Sequence, residues 1–181
     1  MYHTQVKTAT LPVEVFLRDY CDRARFLPCC EACPEYHSNW ACPPGVPAAE
    51  DLLRGLSMVT LVGVQVVYDK DLRARATDGD SARKAREATY DVAKRQLNAT
   101  MLALESVCPN GVVIAAGSCK WCERCARLDG QPCRDPARCR YSFSALGFDL
   151  GKLARERLGL ELLWDKGLPE YDVLMAALVQ P

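Results

Sequence analysis

The sequence predicts a single α/β domain spanning residues 1–181: a small mixed sheet, helices packed on it, and two Cys-rich loops. Three observations predict it. Met58 to Tyr68 is rich in Val and Leu and ends at charged residues, the pattern of a buried strand. A long amphipathic stretch follows and leads into a second apolar run, Val112 to Ala116, giving the order strand, helix, strand. Most of the 11 cysteines fall in two stretches outside these elements.

Taken in order, Pro12 suits the first turn of a helix, and Val13, Phe16, Leu17 and Tyr20 fall on one face of it. Residues 29–47, CCEACPEYHSNWACPPGVP, carry too many prolines for regular structure and read as a loop. The strand Met58 to Tyr68 comes next, followed by a polar loop from Asp69 to Asp80. Asp80 or Ser81 can cap a helix running to about Val107, with a stripe of Tyr90, Ala93, Leu97, Met101, Leu104 and Cys108. Pro109-Asn110-Gly111 ends it, and the strand from Val112 to Ala116 completes a unit that implies a parallel crossover. Ser142 to Leu146 reads as a helical turn ending at Gly147, and Asp149 can cap a helix to Leu158 closed by Gly159. Leu160 to Trp164 and Asp172 to Val179 read as two last strands joined by a Gly/Pro turn.

Composition excludes several classes. Acidic and basic residues number 23 each, so no charge excess points to nucleic acid or an anionic membrane surface. The amino terminus lacks the apolar stretch of a secretory signal, and Met58 to Tyr68 is too short to span a bilayer as a helix. The expectation is a cytoplasmic protein, where a reducing environment favours metal ligation over disulfides. The cysteine count is odd, which also argues against a disulfide framework. With only His3 and His37, a Cys2His2 site and a His-based hydrolase are disfavoured. Ser118 has no base beside it in sequence, and Gly63 and Gly117 stand alone, so no phosphate loop is present.

The chemistry concentrates in the cysteines. Cys119-x2-Cys122-x2-Cys125 places three thiols on one short loop, and Cys133 follows after a Gly-Pro turn. A cubane cluster needs that supply, three thiolates from one loop and a remote fourth. Zinc is the alternative, although structural zinc sites usually draw on two separated Cys pairs. A first set, Cys29-x3-Cys33-x8-Cys42, can bring three more thiols together, with Cys30 an alternative to Cys29. Its spacing differs from the Cys-x3-Cys-x2-Cys loop of radical enzymes that use S-adenosylmethionine. For a fourth ligand there, Cys21, Cys30, Cys108 and Cys139 are candidates, with His37 inside the loop; Cys108 continues the helix stripe and suits the core. One or two [4Fe–4S] clusters are therefore expected. A three-thiol cluster would leave one iron open to water or substrate. Lys120, Arg124, Arg127, Arg134, Arg138 and Arg140 surround the second set and suit charge compensation or an acidic redox partner. Trp40 and Trp121 are placed to shield a metal from water.

Three motifs carry a resemblance. They are Cys29-x3-Cys33-Pro-x-Tyr-x3-Trp40-x-Cys42-Pro-Pro, Gly117-x-Cys119-x2-Cys122-x2-Cys125-x4-Gly-x-Pro-Cys133-Arg-x-Pro, and Ser142-x2-Ala145-x-Gly147-x-Asp149. Together they resemble domain-of-unknown-function family 2284, predicted metal-binding proteins, over roughly residues 25 to 180. The resemblance implies Cys29, Cys33, Cys42, Cys119, Cys122, Cys125 and Cys133 as the ligand set, and so Cys29 over Cys30. Two positions depart from the family: it usually has Gly where this chain has His37, and commonly Glu where this chain has Ser144. The function expected is iron–sulfur binding in electron transfer or as a redox accessory, with a redox partner protein and neither nucleic acid nor membrane. Its alternatives are an enzyme with an open iron and a zinc-binding structural or metal-handling module.

Overall fold

The computed structural model describes residues 1–165 and 167–181. A four-stranded sheet in the order β1-β2-β4-β3 forms the frame. β1 (Tyr2–Pro12) runs antiparallel to β2 (Met58–Tyr68), with Tyr2 opposite Tyr68 and Pro12 opposite Met58. The α/β class holds and Met58–Tyr68 forms the strand expected. β3 (Val112–Ile114) and β4 (Tyr171–Gln180) also form. The crossover takes a different form, because β4 inserts between β2 and β3 and pairs antiparallel with each. β2 and β3 therefore run parallel without touching, and each named pair is antiparallel; the parallel contact is an isolated bridge, Ala115 to Ser142.

Alternation along β2 and β4 serves two cores. Val59, Leu61, Met175, Ala177 and Val179 face a layer with Phe16, Phe143, Phe148 and Leu153. Val64, Val66, Leu174, Ala176 and Leu178 face the other, with Ala93, Leu97 and Met101. A sheet covered on both faces needs apolar residues at successive positions, which is why β2 reads as an unbroken run. Gly63 lets the cover approach closely: a Cβ there would stand 2.6 Å from Leu158 Cδ1.

α1 (Val13–Tyr20) follows Pro12 and buries Val13, Phe16 and Tyr20; the Phe16 ring stacks on Phe148 at 4.0 Å. β1 itself was not expected. It is an edge strand exposed over most of its length, with Leu11 buried, so it carries no apolar alternation. α2 (Arg23–Glu31) also departs from the predicted loop and puts Cys29 and Cys30 in its last turn. Asp22 caps it by accepting from the Arg25 N–H at 3.0 Å, but the helix buries no residue, so periodicity could not reveal it. After the short α3 (Ala49–Leu52), α4 (Lys70–Arg75) occupies the expected polar loop.

The long helix is two, α5 (Gly79–Ala88) and α6 (Tyr90–Ser106), broken at Thr89. The Thr89 hydroxyl donates back to the Ala85 carbonyl at 2.6 Å and the residue leaves helical geometry. Asp78, rather than Asp80 or Ser81, caps α5, with Ser81 completing a capping box. α7 (Phe143–Leu146) and α8 (Leu150–Leu153) form as expected, capped by Ser142 and Asp149, and a π-turn over Ala154–Leu158 carries the latter to Gly159. Gly147, at φ 90°, comes so close to α2 that a Cβ would stand 2.5 Å from Arg23 Cα. Leu160–Trp164 is not a strand: Leu160 is buried over Gly63, packing on the sheet instead of joining it. Within the predicted Gly/Pro turn, Lys166 lies outside the described residues.

Candidate metal centre

The second Cys loop leaves the sheet directly after β3 and folds through a 3-10 turn over Ala126–Asp129, ended by Gly130. Cys119, Cys122, Cys125 and Cys133 line one cavity of about 790 Å³, and Cys139 lines it with them. Sequence spacing alone had offered Cys139 to the first set; the fold puts it with the second. Cys119 and Cys139 lie close enough for each to shift the other's thiol, and Cys133 adds to the effect on Cys139. The neighbouring Cys139 thiol holds that of Cys119 down to about 6, against the opposing cost of burial, while Cys139 is pushed well up by Cys119 and by its own burial.

The first loop closes over this cavity. Its Pro34, Glu35 and Trp40 form part of the wall, and discrete polar contacts hold it there. Asn39, 3% exposed, donates from Nδ2 to the Cys119 carbonyl at 2.8 Å, while its Oδ1 accepts from the Ala41 N–H at 3.0 Å. Trp40 Nε1 donates to the Gln131 carbonyl at 3.0 Å, and Lys120 pairs with Glu35. Arg127 reaches furthest. Its guanidinium donates to the carbonyls of Asn39 at 2.8 Å and Cys42 at 2.7 Å, reaches that of Pro44, and lies 4.9 Å from the Trp40 ring centroid. Three convergent carbonyls satisfy one half-buried fork, so Arg127 fixes the mutual position of the two Cys loops.

The first set is arranged differently. Cys42 is buried, and burial pushes its thiol up to about 11, with Glu35, Cys33 and Cys30 adding to the rise. Cys29 and Cys33 are exposed. Cys30 donates to the Ser144 carbonyl at 3.6 Å. None of these four lines the cavity of the second set. Cys21 donates to the Leu146 carbonyl at 3.6 Å and packs against the core around Phe16; burial pushes it up to about 11. Cys108 packs against the opposite core and accepts from Gln180 Nε2 at 3.4 Å. These contacts place both thiols in packing roles.

The cations around the second set have local carboxylate partners, so they do not form a free basic docking patch. Arg124 and Arg134 pair with Asp129, Arg138 with Asp135, and Arg140 with Glu105. Trp121 lines the cavity, with the Arg138 guanidinium 5.0 Å from its ring centroid. His37 adopts φ 61° and its N–H donates to the Pro43 carbonyl at 3.0 Å. That left-handed backbone is one that glycine, which the family resemblance leads one to expect here, adopts without strain. His3 lies on β1, away from both loops.

Sequence reasoning missed Asn39 and took Arg127 for a compensating charge. For Asn39 there was no spacing signal, since its role depends on a carbonyl 80 residues away. Cys139 had one: it sits six residues beyond Cys133 on the same loop.

The sequence model of the family described as predicted metal-binding protein, DUF2284, matches residues 15–179. The chain belongs to that family. No curated protein and no solved structure matches the chain. The family description agrees with an all-sulfur donor set, which suits soft metals and clusters. Among the described residues no three His, Cys, Asp or Glu side chains converge closely enough for a single metal ion. A four-coordinate zinc needs four sulfurs at about 2.3 Å from one point. A cubane distributes its thiolates over separate irons.

Proposed function

We propose that the chain is an iron–sulfur protein whose second Cys loop holds a [4Fe–4S] cluster through Cys119, Cys122, Cys125 and Cys133. The observation that carries this reading is the set of thiols spread around one cavity that the first loop closes. When bound, such a cluster exchanges single electrons, and its potential depends on burial and on hydrogen bonds to sulfur. The chain supplies that environment: Trp40 and Trp121 restrict water, Arg127 fixes the lid, and the Lys120–Glu35 pair closes one side. A second cluster at Cys29, Cys33 and Cys42 belongs to the same proposal.

Electron transfer to a partner protein, within the cytoplasm, is the role this arrangement supports. With the nearby cations already paired, the partner would meet the cavity rim, where Trp40 is 37% and Leu128 49% exposed. One observation favours an enzyme as second reading. A cavity of about 410 Å³, within the range of small-molecule sites, is lined by Gly117 and Ser144, which flank the second Cys loop at its two ends.

Oxygen-free purification with iron, zinc and labile-sulfide analysis tests the proposal. About four iron and four sulfide per chain are expected for one cubane and about eight of each for two, with a visible absorption bleached by dithionite. Colourless protein carrying stoichiometric zinc overturns it.

A further inference from the structure

Cys139 is not in the ligand set that family resemblance implies, yet it shares the cavity of Cys119, Cys122, Cys125 and Cys133. Five thiols therefore face a site with four corners to fill. The fifth is not a bystander at the rim. It lines that cavity together with Cys119, from the three-thiol loop, and Cys133, the remote thiol.

The backbone after it is tied to regular elements, whereas that before Cys133 is held by other loop contacts, from Gln131 to Ala126 and from Trp40 to Gln131. Arg140 donates from Nη1 to the Cys139 carbonyl at 2.9 Å and forks onto Glu105 of α6, with Nε contacts of 3.0 and 2.9 Å. Glu105 in turn accepts from the Val113 N–H of β3 at 2.7 Å. One residue further, the Tyr141 carbonyl accepts from the Ala115 N–H at 2.8 Å. The segment bearing Cys139 is thus tied to a helix and to the sheet. Cys133 stands in a stretch where Gly130, Gln131, Pro132 and Arg134 are exposed. Ligands held by their surroundings lose less freedom on binding, so position favours Cys139 as much as spacing favours Cys133.

We propose that Cys139 is a fifth donor to this centre, interchangeable with Cys133 as its remote ligand. The inference rests on the reading that the second Cys loop binds a cluster. In an exchange the Cys139 thiol loses its proton as its sulfur binds, and the departing Cys133 sulfur takes one up. Charge and thiolate count at the cluster are unchanged. The consequence is tolerance: the cluster survives loss or oxidation of either remote cysteine, but not of both.

The test uses the full chain, reconstituted without oxygen with ferrous iron and sulfide, in five forms besides the wild type. Cys133→Ser and Cys139→Ser should each keep the wild-type iron and sulfide. The double variant Cys133→Ser/Cys139→Ser should lose about four of each, or hold them at least about tenfold less tightly against a chelator. Paramagnetic resonance of the reduced Cys133→Ser protein should shift from the wild-type signal without losing intensity. Loss of the cluster in both Cys133→Ser and Cys133→Ala overturns the proposal, and so does full retention in the double variant. The triple variant Cys119→Ser/Cys122→Ser/Cys125→Ser separates the two levels. If it retains the full wild-type iron, the cluster reading itself fails; if it loses about four iron while Cys133→Ser does too, only the role of Cys139 fails.

Discussion

The sheet and the cysteine end are held together by different physics. β2 and β4 bury apolar side chains on both faces, and Phe16, Phe143 and Phe148 interlock over one of them. Around the cavity few large apolar side chains are buried. The loops there meet through Asn39, Arg127, Trp40 and the Lys120–Glu35 pair, each contact directional and replaceable. Apolar burial is additive and tolerant, so the sheet half can close without a metal. Polar clamps fix position while adding modest net stability, so the cysteine half is shaped for a metal more than it is stabilised by its own contacts.

The largest effect that would sharpen this contrast is in the core. Phe16→Ala should cost about 3–5 kcal/mol in urea unfolding of the metal-free chain, while folded protein keeps its metal stoichiometry. A matching loss of metal from the folded fraction would break the distinction. Next comes Arg127→Ala, which strands three carbonyls and the Trp40 face. We expect a cost of about 2–3 kcal/mol confined to the loops. It would be seen as amide shifts over residues 35–45 and 117–133, with β2 and β4 unmoved. Smallest, and opposite in sign, is His37→Gly, which relieves a left-handed φ of 61°. It should stabilise the metal-free chain by about 1 kcal/mol at most, since glycine also adds freedom to the unfolded state. A destabilising result would mean that the His37 ring, edge-on to Tyr36 at 4.7 Å, contributes more than the strain.

Legibility divided along the same line. Met58–Tyr68, Val13–Tyr20, the helical turn from Ser142 to Leu146 and the Asp149 cap were readable because burial and capping leave local patterns. β1 and α2 were not, because an exposed edge strand and a helix without buried residues leave none. The insertion of β4 between β2 and β3 depends on pairing across more than a hundred residues, which no local window contains. At the site, the thiols were visible from their spacing. The clamp by Asn39 and Arg127 was not, since both act on backbone carbonyls that have no sequence signature.

Hydrogen exchange of the metal-loaded and chelator-stripped chain, followed residue by residue, tests the central claim most directly. The account predicts that loading protects residues 29–45 and 117–140 strongly and leaves β2 and β4 exchanging as before. Equal exchange in both forms, or a change centred on the sheet, would contradict it.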